Sequence, residues 1–130
     1  MEVIKFEVPG KPEYIQMVRL SIGAIASVMG FDIEKIDDIK TALEEACKTI
    51  SCHGYEGFSD KYEVKCLISD DNLTIDITDF CNLDNFGLSN CDNCHQENSI
   101  GFYLMKSLVD DISLEKTESG RKKIRMVKNK

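Results

Sequence analysis

The sequence contains no apolar run near the roughly 20 residues that a membrane-spanning helix needs, so we expect no membrane-spanning segment. It also lacks an excess of positive charge, because 16 Lys and Arg residues stand against 23 Asp and Glu residues, a formal net charge of −7. This balance disfavours direct binding to nucleic acid or to an anionic membrane surface. Residues 1–6 alternate in polarity instead of forming an apolar block, so we expect no signal peptide and a cytoplasmic location.

No internal repeat and no linker-like stretch divides the 130 residues, and this length suits a single two-layer core. We therefore predict one domain over residues 1–130. Six cysteines are many for such a chain, and in the cytoplasm we expect reduced thiols rather than a disulfide framework. Cys47 and Cys66 fall within apolar-patterned segments, where we expect inert core residues.

Hydrophobic periodicity predicts three helices. Apolar residues recur at spacings of three and four over residues 15–29, and Gly30 follows as a C-cap. A second stripe with the same spacing covers residues 36–50, behind Asp32 as the N-cap. Residues 100–109 form the third predicted helix. The pattern alone leaves open whether both long stripes pack on one sheet or one of them meets a partner helix.

Alternation with a period of two predicts five strands, at residues 4–8, 62–68, 73–77, 112–116 and 123–128. The strands arrive mostly as hairpins, which favours an α+β fold, a two-layer sandwich with a mixed β-sheet and the helices on one face. Six of the last ten residues are basic, and their alternation with apolar residues predicts a solvated strand face rather than a phosphate-binding strip. Residues 80–99 show no periodicity and are predicted to form a long loop, which in a compact domain is usually functional or disordered.

Four residues in three separate fragments suit nucleotide chemistry. Glu45 and Thr49 lie one turn apart on the second predicted helix and share a face, so a proton-accepting carboxylate and a hydroxyl that can ligate Mg²⁺ project together. Asp79 ends a strand, where it can accept the amino proton of a base, and Gly101 opens a helix whose free N–H groups can hold phosphates. Three of them also have a simpler interpretation: Glu45 as a solvated acid, Asp79 as a turn residue and Gly101 as a glycine packed at a helix start.

These fragments read Glu45-Ala46-Cys47-Lys48-Thr49-Ile50-Ser51-Cys52-His53-Gly54-Tyr55, Ile77-Thr78-Asp79 and Ile100-Gly101-Phe102-Tyr103-Leu104-Met105. Together they resemble the anti-sigma serine kinases (RsbW-like) of the GHKL or Bergerat-fold superfamily, whose members share a histidine-kinase-like ATPase domain. The resemblance covers essentially the whole chain and is strongest in the first 55 residues. It implies an anti-sigma factor that acts in transcription regulation, uses ATP and Mg²⁺ as a serine/threonine-protein kinase, and forms a homodimer. It further implies two partners, a sigma factor and an anti-anti-sigma protein of the STAS type.

The resemblance also implies roles for individual residues. Glu45 would be the catalytic base, Thr49 would take the magnesium-ligand position, and Arg19 would lie on the surface that meets the protein partners. The nucleotide-binding positions would be Thr49, His53, Asp79, Cys81, Ser99, Ile100 and Gly101.

Three of these positions depart from the family pattern. Thr49 stands where the family has its magnesium-binding Asn, Cys81 replaces the Gly of the Asp-x-Gly motif, and Ser99 replaces the first Gly of Gly-x-Gly. A side chain at 81 would crowd the adenine, and a threonine hydroxyl reaches less far than an asparagine amide. We therefore expect weak ATP binding and impaired serine phosphorylation, with an active kinase as the alternative.

Cys91 and Cys94 form a Cys-x-x-Cys motif, followed by His95, inside the predicted loop. Two thiolates at this spacing can bind one Zn²⁺, but a closed structural site needs four ligands. The remaining ligands could be Cys81 and His95, or Cys52 and His53. This motif supports an alternative function, a metal- or thiol-responsive regulatory binding module. The competing interpretation is that cysteines accumulated in a loop that no longer holds nucleotide.

Overall fold

The computed structural model describes residues 1–50, 60–80 and 100–130. The elements in these ranges are β1 (Glu2–Pro9), α1 (Pro12–Met29), α2 (Ile33–Ile50), β2 (Lys61–Ile68), β3 (Asn72–Asp79), α3 (Ile100–Leu108), β4 (Asp111–Lys116) and β5 (Lys122–Asn129). Each predicted helix and strand is present close to its predicted bounds. The predicted loop at 80–99 lies outside the described residues from position 81 onward.

The strands form a five-stranded sheet in the order β1-β2-β3-β5-β4. The predicted α+β class is confirmed, but the four described pairings are all antiparallel, so the prediction of a mixed sheet is wrong. The hairpins β2–β3 and β4–β5 have to be antiparallel. The two pairings between strands distant in sequence, β1 with β2 and β3 with β5, have the same sense, which the sequence pattern did not specify.

Alternation along the strands gives the sheet one apolar face and one polar face. On the apolar face Val64, Ile77 and Ile124 lie side by side in register and are fully buried. On the opposite face Asp76 is paired with Arg125, whose Nε and Nη2 donate to the two carboxylate oxygens at 2.7 and 2.8 Å. The sequence therefore determines which face the helices cover.

The predicted helix ends are confirmed by their caps. Pro12 occupies the first turn of α1, and Gly30 ends that helix in the left-handed conformation with φ of 95°. Asp32 caps α2, because its Oδ1 accepts the backbone N–H of Lys35 at 2.9 Å. The two helices approach closely at Gly23, where an added Cβ would lie 3.0 Å from Cδ of Lys40.

The hydrophobic core is one cluster between the helices and the apolar face of the sheet, with buried residues from α1, α2, α3, β2, β3 and β5. This confirms that the helices pack on a single face. Both long stripes contribute to this cluster, which answers the question that periodicity left open. In the described ranges, no helix is long and apolar enough to cross a membrane.

Candidate functional site

The start of α3 packs directly against α2 at the predicted site. A Cβ added to Gly101 would lie 2.5 Å from Oγ1 of Thr49 and 2.7 Å from Oε1 of Glu45. Any side chain at position 101 would have to displace one of these groups, so the close approach requires glycine. The structure therefore brings together Glu45 and Thr49 from one fragment of the sequence and Gly101 from another.

The helical period places the side chains of Glu45 and Thr49 on the same face of α2. The neighbouring Ala46 and Ile50 are fully buried against the core, and this fixes the rotation of α2 so that Glu45 and Thr49 share the half-buried face beside α3. Thr49 is β-branched, which restricts the position of its hydroxyl, whereas the Glu45 side chain is longer and more adaptable. A carboxylate and a hydroxyl next to a helix start can accept a proton and supply hard oxygen ligands.

Asp79 ends β3 and is buried, with 4% of its surface exposed. Its side chain lies on the same face of the sheet as those of Ile75 and Ile77, the face that the helices cover. Its backbone carbonyl accepts a hydrogen bond from Nη1 of Arg121 at 3.4 Å, and the same guanidinium lies 4.4 Å from the centre of the Phe80 ring. Arg121 therefore holds the strand end that carries Asp79.

Tyr62 connects the two parts of the site, and sequence analysis missed this role. Its hydroxyl donates to the backbone carbonyl of Cys47, between Glu45 and Thr49, at 2.8 Å. In the sheet Tyr62 is paired with Asp79. One buried side chain thus links the helix with the predicted base and the strand end with the predicted adenine ligand. The alternation of β2 predicted that Tyr62 is buried, but nothing in the sequence identified its partner.

Arg19 lies where α1 meets α2, and its side chain is 31% exposed. Its Nη1 is 3.8 Å from Oε2 of Glu44 and 3.5 Å from Oε1 of Gln16, and Glu44 also pairs with Lys48 at 3.7 Å. Within the described residues, the buried Nε of Arg19 has no hydrogen-bond partner. Arg19 therefore sits directly beside the helix turn that carries Glu45.

Burial shifts the pKa of three described groups, two thiols and one lysine. Burial, together with the charge of Glu44, raises the pKa of the Cys47 thiol to about 12, and burial together with Asp76 does the same for Cys66. Both thiols are protonated at neutral pH, in agreement with the predicted inert core role. Burial lowers the pKa of Lys122, which lies on the helix side of β5 and departs from the predicted solvated strip.

Several predicted site residues lie outside the described residues: His53, Cys81, Cys91, Cys94, His95 and Ser99. Ile100 is described, and its side chain is exposed at the first position of α3. Within residues 1–50, 60–80 and 100–130 there is no group of three or more metal-ligating side chains. The described donors nevertheless suit Mg-ATP, because the oxygens of Glu45 and Thr49 converge on Gly101 at a helix start.

Comparison with known proteins shows the family of this chain. The family model described as the histidine kinase-like ATPase domain matches residues 8–128. A serine-protein kinase RsbW from Bacillus pumilus is 30% identical over 128 residues, which cover 88% of this chain and 79% of that protein. A serine-protein kinase RsbW from Bacillus cereus is 32% identical over 123 residues, covering 87% and 77% respectively.

A solved structure shares the fold. The SiaB–SiaC complex from Pseudomonas aeruginosa contains a chain that superposes with a TM-score of 0.62 over 98% of this chain and 89% of its own length. At 12% sequence identity, this likeness concerns the fold alone. The family model and the two kinases carry the assignment: this chain belongs to the histidine kinase-like ATPase domain family, within the group that contains the RsbW serine-protein kinases.

Proposed function

We propose that this protein is an anti-sigma regulatory factor of the serine-kinase type. It acts in the cytoplasm as a homodimer and binds a sigma factor and an anti-anti-sigma protein of the STAS type. The observation that carries the proposal is the convergence of Glu45, Thr49 and Gly101 in a chain that belongs to this family. Each of these three residues suits a different part of a nucleotide site.

The chain's own residues have distinct roles in this proposal. Glu45 accepts the proton of the target serine hydroxyl, and Asp79 accepts the amino proton of adenine. Thr49 supplies an oxygen at the position of the metal ligand, and the N–H groups at the start of α3 face the phosphates. Mg-ATP, when bound, supplies the phosphoryl group. Arg121 and Tyr62 position the strand end and the helix that carry these groups.

We also propose that ATP binding and phosphorylation are impaired. Thr49 replaces the family Asn, and its hydroxyl abuts Gly101 so closely that a Cβ has no room there. Phosphoryl transfer depends almost wholly on positioning and charge stabilisation, so a displaced metal ligand weakens binding and reaction together.

Calorimetry with Mg-ATP tests the impairment. We expect a dissociation constant weaker than ~100 µM, which corresponds to less than roughly 5.5 kcal/mol of binding free energy. Low-micromolar binding would contradict the impairment and restore the active kinase. In that case Glu45→Ala should abolish transfer to a serine of the anti-anti-sigma protein and leave ATP binding nearly unchanged, since Glu45 acts on the proton and not on the nucleotide.

Co-purification of partners from native cells tests the regulatory role. A sigma factor retained by the wild-type chain and lost with Arg19→Ala supports the proposal, because Arg19 is the predicted contact. Lys11→Ala, an exposed basic residue just before α1, is a matched control and should retain the partner. A zinc assay on the same material addresses the alternative, in which Cys91 and Cys94 form a metal- or thiol-responsive module. About one zinc per chain would favour that module.

A further inference from the structure

Lys122 is a buried lysine at the same end of the sheet as Asp79. It is the first residue of β5, and 9% of its surface is exposed. Ile124 and Met126 follow at every second position and belong to the core, so Lys122 shares the face of the sheet that the helices cover. The functional roles described above do not involve this lysine.

The register of the sheet places Lys122 beside Asp79. Strands β3 and β5 are antiparallel, and Thr78 is paired with Lys123. The next position in the same register sets Asp79 opposite Lys122. The hydrogen bond from Arg121 to the Asp79 carbonyl keeps the two strand ends together there. Opposite residues on one face have Cβ atoms about 4.5–5.5 Å apart, so a carboxylate and an ammonium start side by side under the helices.

Burial distinguishes Lys122 from the neighbouring lysine. An ammonium that loses its water costs free energy unless opposite charge or hydrogen bonds compensate it, and this loss lowers the pKa of Lys122. Asp79, with 4% of its surface exposed, supplies opposite charge at the adjacent position. Lys123 lies on the other face of the sheet, where its Nζ pairs with Glu115 at 3.5 Å. A covered lysine is therefore a costly choice at a position where the strand pattern favours an apolar residue.

The pair of side chains is complementary to one edge of a purine. Asp79 is a hydrogen-bond acceptor and Lys122 is a donor. On the Watson–Crick edge of adenine, the 6-amino group donates and the adjacent ring nitrogen N1 accepts. A hydrogen bond from a charged donor is stronger than one between neutral groups, so an ammonium at this position can discriminate between bases.

We propose that Lys122 is a second residue that recognises the base in the nucleotide site. It donates to N1 of adenine, while Asp79 accepts from the 6-amino group. The inference rests on the proposed use of ATP and adds a specificity-determining residue to that site. Lys122 then favours adenine over a base that has no acceptor next to its amino group.

The analogue 1-deaza-ATP tests the contact from the side of the ligand. It has a C–H group in place of N1 and keeps the amino group, the ribose and the triphosphate of ATP. Chemical-shift titrations of the full chain with Mg²⁺ and up to about 10 mM nucleotide reach dissociation constants in the millimolar range. The wild-type chain should bind ATP at least about tenfold more tightly than 1-deaza-ATP, because the analogue leaves a charged donor without its acceptor.

Substitution of Lys122 tests the same contact from the side of the protein. Lys122→Met keeps the length of the side chain without its charge, so it should weaken ATP binding by at least about tenfold and change 1-deaza-ATP binding by less than about twofold. Lys122→Arg retains a charged donor and should keep a preference for ATP of more than about threefold. Lys123→Met, one residue away on the other face, is the matched control and should leave both affinities unchanged.

The ratio of the two dissociation constants separates recognition from structure, and circular dichroism confirms that each variant is folded. If Lys122→Met weakens both nucleotides equally, the lysine supports the fold alone and the inference is overturned. It is also overturned if the wild-type chain binds both nucleotides equally, or if Lys122→Met keeps the full preference for ATP. These three results leave the proposed use of ATP standing. A wild-type chain that binds no ATP at about 10 mM overturns both proposals together.

Discussion

At position 101 the difference between a hydrogen atom and a methyl group decides how α3 meets α2. In Gly101→Ala the helix propensity of alanine favours the variant by at most ~1 kcal/mol. The new methyl group would lie within 3 Å of Thr49 Oγ1 and Glu45 Oε1, and such overpacking typically costs about 1–3 kcal/mol. We expect net destabilisation, measured as the free energy of unfolding in urea.

A double-mutant cycle identifies the cause of that loss. In the background of Thr49→Ala the hydroxyl is gone, so the penalty of Gly101→Ala should shrink by about 0.5 kcal/mol or more. Gly120→Ala serves as a comparison, because an added Cβ there meets no atom within 4 Å and the cost comes from its positive φ of 83°. Its penalty should not change with Thr49→Ala. Equal penalties for Gly101→Ala in both backgrounds would show that the contact with Thr49 does not matter.

The two buried thiols predict how stability depends on alkaline pH. Their pKa values rise from 9.0 to about 12 on folding, so the folded state keeps them protonated while the unfolded chain ionises. Their contribution to stability is fully present below pH 9 and is lost as the pH rises toward 12. The free energy of unfolding should fall by up to about 1.4 kcal/mol per pH unit for each thiol.

Two variants test this dependence. Cys47→Ala and Cys66→Ala should each remove about half of this thiol-dependent slope in urea titrations between pH 9 and 11. An unchanged slope in both variants would show that the two buried thiols do not cause the loss of stability at alkaline pH.

At the scale of secondary structure, the contact between α2 and β2 positions the site. Tyr62→Phe removes the hydrogen bond to the Cys47 carbonyl in a fully buried position. We expect a loss of about 1–2 kcal/mol in the free energy of unfolding, because one buried acceptor loses a donor. Tyr103→Phe, on α3 and 60% exposed, is the control and should change stability by less than about 0.5 kcal/mol. Similar losses in both variants would mean that the buried hydrogen bond contributes little.

At the scale of the whole molecule, one core cluster draws buried residues from the three helices and from β2, β3 and β5. A chain with one core unfolds as one unit, so far-ultraviolet circular dichroism and tyrosine fluorescence should give coincident urea transitions. This outcome would support the predicted single domain over residues 1–130. Two separate transitions at one protein concentration would contradict it.

The amino-acid sequence by itself determined the elements and the orientation of their faces. Periodicity placed the three helices and five strands, Gly30 and Asp32 ended and started helices, and alternation in β3 put Ile75 and Ile77 on the covered side. These features are local, since each depends on residues a few positions apart. The helical spacing of Glu45 and Thr49 predicted their shared face for the same reason.

Tertiary structure decided the features that depend on residues distant in the chain. The antiparallel sense of β3 and β5, the contact of Gly101 with α2, and the bond from Tyr62 to Cys47 join segments whose separation no local pattern encodes. The burial of Lys122 was also missed, because the predicted strand begins one residue later, at 123, whereas the observed strand begins at Lys122 and alternation with Ile124 and Met126 places this lysine on the covered face. Sequence patterns report the period of an element, whereas packing sets which elements meet and at what distance.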